Sequence, residues 1–163
     1  MNYSEIKYHD VVDGEGIRVS LFVSGCDHHC KGCFNADTWD YAAGHPFTDD
    51  TMDSILDNLE PEYIAGLSLL GGDPLSLKNR QCMSYIVSKV KERYPKKDIW
   101  LWTGYLYDDL SAQAAKDKYL KNILDNIDVL IDGPFIENKK DLMLAWRGSS
   151  NQKIYDFREP EMR

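Results

Sequence analysis

Val19-Ser20-Leu21-Phe22-Val23-Ser24-Gly25-Cys26-Asp27-His28-His29-Cys30-Lys31-Gly32-Cys33-Phe34-Asn35 joins an apolar run to a loop that holds three of the four cysteines in the chain. Val19 to Val23 reads as a buried strand, and the cysteines follow its end with the spacing C-x3-C-x2-C. Adjacent thiolates in a short loop converge without long-range folding, which suits a metal. A structural zinc closes with four ligands, so one of His28, His29 or His9 would have to complete the set. A cubane of iron and sulfide held by three thiolates keeps one iron free of protein ligands, open to a substrate. A disulfide framework fits poorly, because three cysteines this close cannot all pair and Cys82 is the sole other partner. Zinc and iron–sulfur both remain open on spacing alone.

The chain has 163 residues, a length that suits one domain (1–163) with one substantial core. Its 43% hydrophobic and 28% charged residues are those of an ordinary globular protein. A net charge of −8 opposes nucleic-acid binding, which needs a basic face. Met1 to Asp10 alternates polar and apolar residues without a signal-peptide core, and no apolar stretch approaches the ~20 residues that span a bilayer. A cytoplasmic location follows, where thiols stay reduced.

Outward from the cysteine loop, residues 4–16 read as a lead-in ending in the turn Val12-Asp13-Gly14-Glu15-Gly16. Ile17 to Ser24 is the first strand, and Thr38 to Pro46 is a polar connection. Thr48 offers an N-cap for a helix carrying Met52, Ile55, Leu56 and Leu59, closed by Pro61. Ala65 to Leu70, Ile99 to Thr103 and Val129 to Ile131 read as further strands. Asn79 to Tyr94 and the segment bearing Leu120, Ile123, Leu124 and Ile127 read as helices between them. Lys153 to Phe157 suits a short last strand.

Apolar strands alternating with helices are the pattern of parallel βαβ units. Every small-residue motif stands at the carboxyl end of a strand, the edge where such folds build their sites. Four units are too few for a closed eight-stranded barrel. The expected fold class is therefore α/β, an incomplete, open barrel with a mainly parallel sheet. Gly71-Gly72-Asp73-Pro74 is the second informative stretch. Its glycines allow close backbone approach to a ligand, Asp73 adds an acceptor, and Pro74 stiffens the exit.

The cysteine loop together with Gly71-Gly72-Asp73-Pro74 resembles the signature of the radical S-adenosylmethionine (SAM) enzymes. That superfamily usually has an aromatic just before the third cysteine. Here Gly32 takes that place and Phe34 follows, a variant similar to the activating proteins of anaerobic ribonucleotide reductases. Asp13 to Arg18, Trp100 to Tyr105, Val129 to Phe135 and Arg147 to Gln152 carry the same likeness, so it spans essentially the whole chain.

The resemblance implies a radical-SAM-type open barrel and one 4Fe-4S cluster on Cys26, Cys30 and Cys33, whose open iron binds SAM. It implies SAM contacts from the Gly32-Cys33-Phe34 and Gly71-Gly72-Asp73 segments. Related activating enzymes use an Asp-x-Lys segment that falls at Asp132-Gly133-Pro134, where the lysine is missing. Asp132 and Arg147 are thus the candidates for that end of SAM. The implied reaction begins with one electron from a flavodoxin-like donor. Cleavage of SAM to methionine and a 5′-deoxyadenosyl radical follows, and that radical takes a hydrogen atom from a glycine of the anaerobic ribonucleoside-triphosphate reductase. Another glycyl-radical enzyme or a small molecule as substrate, or a zinc-binding interaction module, are the rival readings. Cys82 reads as a small half-buried thiol in a helix.

Overall fold

The computed structural model describes residues 1–159. The chain runs through β1 (Asn2–Asp10), β2 (Ile17–Val23), β3 (His45–Pro46), α1 (Asp49–Leu59), β4 (Ile64–Gly71), α2 (Arg80–Arg93), β5 (Asp98–Trp102), α3 (Tyr107–Ala114), α4 (Lys118–Asn126), β6 (Val129–Asp132) and β7 (Lys153–Asp156). One-turn 3-10 helices at Ala36–Thr38 and Glu137–Lys139 sit in the long connections.

The strands form one open seven-stranded sheet in the order β3-β1-β2-β4-β5-β6-β7. Its middle, β2-β4-β5-β6, is parallel, as the alternating pattern implies. Both flanks are antiparallel, so the expected α/β class holds while the sheet itself is mixed. The amino-terminal flank differs from the sequence expectation, because residues 2–10 form a nine-residue strand rather than a lead-in. A register shift between Tyr3 and Glu5 lets Tyr3, Ile6 and Tyr8 all pack against the main core despite their odd spacing. The segment Tyr107–Ala114 is also helical, although Leu110 is its one buried residue.

Strand alternation divides the sheet into two faces. Val19, Leu21 and Val23 of β2, Leu67 and Leu69 of β4, and Ile99 and Leu101 of β5 share the main core with residues of α1, α2 and α4. Helix α1 begins at a capping box, in which Thr48 Oγ1 accepts the Thr51 N–H at 3.3 Å and Thr51 Oγ1 accepts the Thr48 N–H at 3.3 Å. Such a cap is worth about 1 kcal/mol. The opposite face carries Arg18, Ser20, Phe22, Ser68, Leu70, Trp100 and Trp102. There Trp100, Val129 and Ile131 form a second apolar cluster with Trp102, Trp146 and Ile154.

Arg18 is completely buried on this second face. Its guanidinium meets Asp98 Oδ1 at 2.7 Å and donates to Ser68 Oγ at 2.7 Å, Leu67 O at 2.9 Å and Glu15 O at 3.1 Å. The Asp13-Gly14-Glu15-Gly16-Ile17-Arg18 stretch therefore folds back on its own arginine. Gly14 has φ +118°, and a Cβ there would lie 2.8 Å from the Arg18 side chain. Among the described residues, no helix is long and apolar enough to cross a membrane.

Candidate functional site

The carboxyl ends of β2, β4, β5 and β6 open into a cleft of about 520 Å³. Cys26, Cys30 and Cys33 line it, together with Gly71 at the end of β4 and Gly72 and Asp73 from the loop that follows. All three cysteines are half-buried free thiols. Burial pushes the Cys26 thiol up to about 11 and raises Cys30 as well. A metal centre binds cysteines as thiolates, so loading one here would release protons. The loop is closed at its root, where Gly25 N–H donates to Thr38 O at 2.7 Å and Cys26 N–H to Trp39 O at 3.1 Å.

The histidines that could complete a zinc site each have a neighbour within the protein. His9 stacks on Tyr63, His29 stacks on Trp39 with ring centroids 4.6 Å apart, and His28 Nε2 lies 2.8 Å from Asp73 Oδ2. Three thiols lining a common cleft suit a cluster that takes three thiolates.

Asp73 is 1% exposed. Besides His28, its carboxylate accepts from Thr103 Oγ1 at 2.9 and 3.0 Å, the Gly104 N–H at 2.9 Å and the Leu75 N–H at 2.8 Å. One buried carboxylate thus ties the loops after β2, β4 and β5 together. The Asp73 hydrogen bond, against the opposing effect of burial, holds His28 protonated to higher pH than usual. The His28 ring in turn packs edge-on against Tyr105 at 4.5 Å.

The glycines beside Asp73 have internal reasons to be glycines. Gly71 has φ +101°, and a Cβ there would lie 2.8 Å from the Val23 backbone. A Cβ on Gly72 would lie 2.5 Å from Gly25 O, at the base of the cysteine loop. The two loops are also stitched by hydrogen bonds, Gly72 N–H to Val23 O at 2.7 Å and Asp73 N–H to Gly25 O at 2.8 Å. Asn79, which carries no motif, is buried and donates from Nδ2 to both Ser24 O (3.1 Å) and Asp73 O (3.0 Å).

Gly32 has φ +75°, and a Cβ there would lie 2.9 Å from Glu137 Oε1. The aromatic falls instead at Phe34, which is 61% exposed at the cleft and lies 5.3 Å from the Phe135 ring. Arg147 and Trp102 line the cleft from the side of β5 and β7. Arg147 Nη1 donates to Gln152 O at 2.9 Å, while its Nε is buried with no hydrogen-bond partner among the described residues.

Of the expected site residues, Gly32 does not line the cleft, and neither does Asp132. It is 2% exposed, and its two oxygens accept from the Tyr107 N–H at 2.8 Å and the Lys153 N–H at 3.2 Å, at the start of α3 and of β7. Cys82 sits half-buried in α2 against the main core.

The far end of the cleft reaches Asp13, Lys7 and Phe22. Burial and the adjacent Asp10 push the Asp13 carboxyl up to about 7. Asp10, where burial is outweighed by hydrogen bonds that include Asp13 and the Val12 N–H, is held below its ordinary value. No motif in the sequence marks this acid pair.

A family model described as a 4Fe-4S single cluster domain matches residues 12–155. The anaerobic ribonucleoside-triphosphate reductase-activating protein of Pasteurella multocida (strain Pm70) is 46% identical over 159 residues, covering 96% of this chain and 98% of the relative. The protein of the same name from Escherichia coli (strain K12) is 43% identical over 97% of this chain and 100% of its own. That of Enterobacteria phage T4 is 46% identical over 95% of this chain and 94% of its own.

Proposed function

Because the chain belongs to the family of anaerobic ribonucleoside-triphosphate reductase-activating proteins, we infer that the cleft is its active site and that a glycine of the reductase is what it acts on. The protein is a radical SAM activase with one 4Fe-4S cluster. We assign the cluster to Cys26, Cys30 and Cys33, and the carboxylate end of SAM to Arg147. The segments Gly32-Cys33-Phe34 and Gly71-Gly72 would border the bound cofactors. When bound, the cluster and SAM supply reductive cleavage of a sulfonium bond and the radical chemistry that takes a hydrogen atom from the target glycine.

The observation that carries this reading is a coincidence of donors. Three free thiols and the Arg147 side chain, whose Nε has no hydrogen-bond partner among the described residues, line one cleft at the carboxyl ends of parallel strands. The thiols can hold iron, and the guanidinium matches a carboxylate. The residues of the chain then act by position. Asp73 fixes the cysteine loop against the β4 and β5 loops, Arg147 orients the amino-acid part of SAM, and Phe22, Leu70 and Trp102 keep water from the cleft.

The chain reads as one domain, and the open sheet as an incomplete radical-SAM-type barrel. Its unfilled side would receive a loop of the reductase. Asp132 would serve by anchoring the start of α3 rather than by touching SAM. A flavodoxin-like protein is the proposed electron donor, and the cytoplasm the proposed location, with neither membrane nor nucleic acid involved.

The test is anaerobic reconstitution followed by iron and sulfide analysis, then incubation with reductant, SAM and the reductase. A glycyl-radical doublet in the electron paramagnetic resonance spectrum is expected, and it must vanish when the reductase's radical glycine is replaced by alanine. SAM cleavage without a reductase radical would redirect the reading to a different substrate. Zinc in place of iron and sulfide would end it.

A further inference from the structure

The connection from β6 to β7 forms a small hairpin at the mouth of the cleft. Lys140 and Ser149 pair as an antiparallel bridge, Asp141 N–H donates to Gly148 O at 3.2 Å, and Ser150 N–H donates to Lys139 O at 2.9 Å. Asp141 Oδ1 accepts the Met143 N–H at 2.9 Å, which fixes the turn at the tip. Trp146 has φ +54°, a left-handed backbone uncommon for a bulky residue, and its carbonyl accepts from Trp102 Nε1 at 2.7 Å. Gln152 Oε1 accepts the Gly148 and Ser149 N–H groups at 2.9 and 3.1 Å. The hairpin is thus built and anchored to the β5 side of the cleft.

Its tip places two large apolar side chains in water. Leu142 is 80% exposed and Met143 92%. Within the fold these side chains pack against nothing that would explain their type, since an exposed Leu-Met pair contributes little to stability. Leu142 also lines the cleft, as does the 61% exposed Phe34 next to Cys33. The apolar rim is therefore continuous with the cleft.

Resting on the function assigned above, we propose that Leu142, Met143 and Phe34 form an apolar docking rim for the segment of the reductase that carries its target glycine. The occupant follows from that continuity. Whatever brings a glycine to the thiol end of the cleft must cross this rim, and a radical at its floor needs the mouth sealed against water. Reductase side chains laid on Leu142 and Met143 would provide that seal, and a flexible, unbranched Met adapts to an irregular partner surface.

The test compares reconstituted wild type with Met143→Asp and with the double change Leu142→Asp, Met143→Asp. Iron and sulfide content and the cluster absorption spectrum should match wild type, because both positions lie outside the core. The apparent KM for the reductase in glycyl-radical formation should rise at least about tenfold for Met143→Asp, the scale of burying one such side chain, and further for the double change. An unchanged KM in both variants overturns the proposal. So does a variant whose sole change is loss of self-association by sedimentation, which would make a second copy of this chain the occupant. If wild type itself forms no radical on the reductase, the functional reading fails and the docking rim falls with it.

Discussion

His28 Nε2 of the cysteine loop lies 2.8 Å from Asp73 Oδ2 of the loop after β4. This pair joins the cysteine loop to the segment expected to hold SAM, and it couples them mechanically. The Asp73 carboxylate also holds Thr103, Gly104 and Leu75, so its oxygens are committed within the protein. The acceptor that sequence suggests for a ligand is a keystone of the site's framework.

Asp73→Ala should therefore act on the scaffold first. It leaves buried donors from three loops unpaired, and such losses cost about 3–5 kcal/mol when a buried charge loses its partner. Chemical denaturation should show a loss of that size, and iron retention after reconstitution should fall. A variant with normal stability and iron content but weaker SAM binding would make Asp73 a direct SAM ligand.

Gly72→Ala should damage the cysteine loop as well as SAM binding, because the added methyl would lie 2.5 Å from Gly25 O. Spacing and composition suggest a purely ligand-facing glycine, whose replacement would spare the cluster. Gly133 is the control. Its φ is +91°, but the nearest atom to a Cβ there is 3.6 Å away. Gly133→Ala should cost only about 1–2 kcal/mol of backbone strain, with iron content unchanged. Iron and sulfide analysis of both variants decides the matter.

The strands and helices that bury a continuous apolar stripe were legible in the sequence, because β2, β4 and β5 contribute one whole face each to the core. Strand β1 was harder. Its alternation suits a half-buried strand or a solvated lead-in equally, and the register shift after Tyr3 breaks the period that would separate them. Helix α3 buries Leu110 alone, too little to write a helical pattern. The three thiols were legible because a short loop brings them together by itself. The roles of Asp73, Asn79 and Asp132 were not, since each depends on partners from other loops, and Thr103 reaches Asp73 from 30 residues away. The acid pair Asp10 and Asp13 exists only once β1 lies beside β2.

That acid pair gives the protein a pH dependence of known sign. Asp13 titrates at about 7 in the fold against an ordinary value of 3.8, so between these limits the folded chain holds a proton that the unfolded chain has lost. Stability should decline as pH rises through that window. Asp10, shifted downward, contributes only as pH falls below its ordinary value, so it does not offset the decline. Thermal unfolding from pH 5 to 8 should show a falling Tm, at roughly 2–4 °C per kcal/mol lost. Below pH 6.5 Asp13→Asn should flatten the slope, while above it His28, whose folded value is raised beside Asp73, contributes a decline of its own. A slope that persists below pH 6.5 in that variant would place the titrating group elsewhere.

Arg147 offers the sharpest separation of SAM from cluster. Its Nη1 is occupied by Gln152 O at 2.9 Å, while Nε is buried and unpaired. An unpaired buried donor is costly unless a ligand completes it, and a carboxylate does so with a charge-assisted hydrogen bond. Such a bond contributes about 1.5–3 kcal/mol, so Arg147→Gln should weaken SAM binding by roughly 10- to 100-fold. Iron and sulfide content should stay at the wild-type level, because the Arg147 side chain hydrogen-bonds Gln152 O and not the cysteine loop. Arg147→Lys should recover part of the affinity, since it keeps the charge but lacks the planar fork. Equilibrium binding of SAM to the three reconstituted proteins provides the comparison. Equal affinities alongside a loss of stability would reduce Arg147 to a tie for Gln152, and the carboxylate of SAM would then need another cation on the cleft.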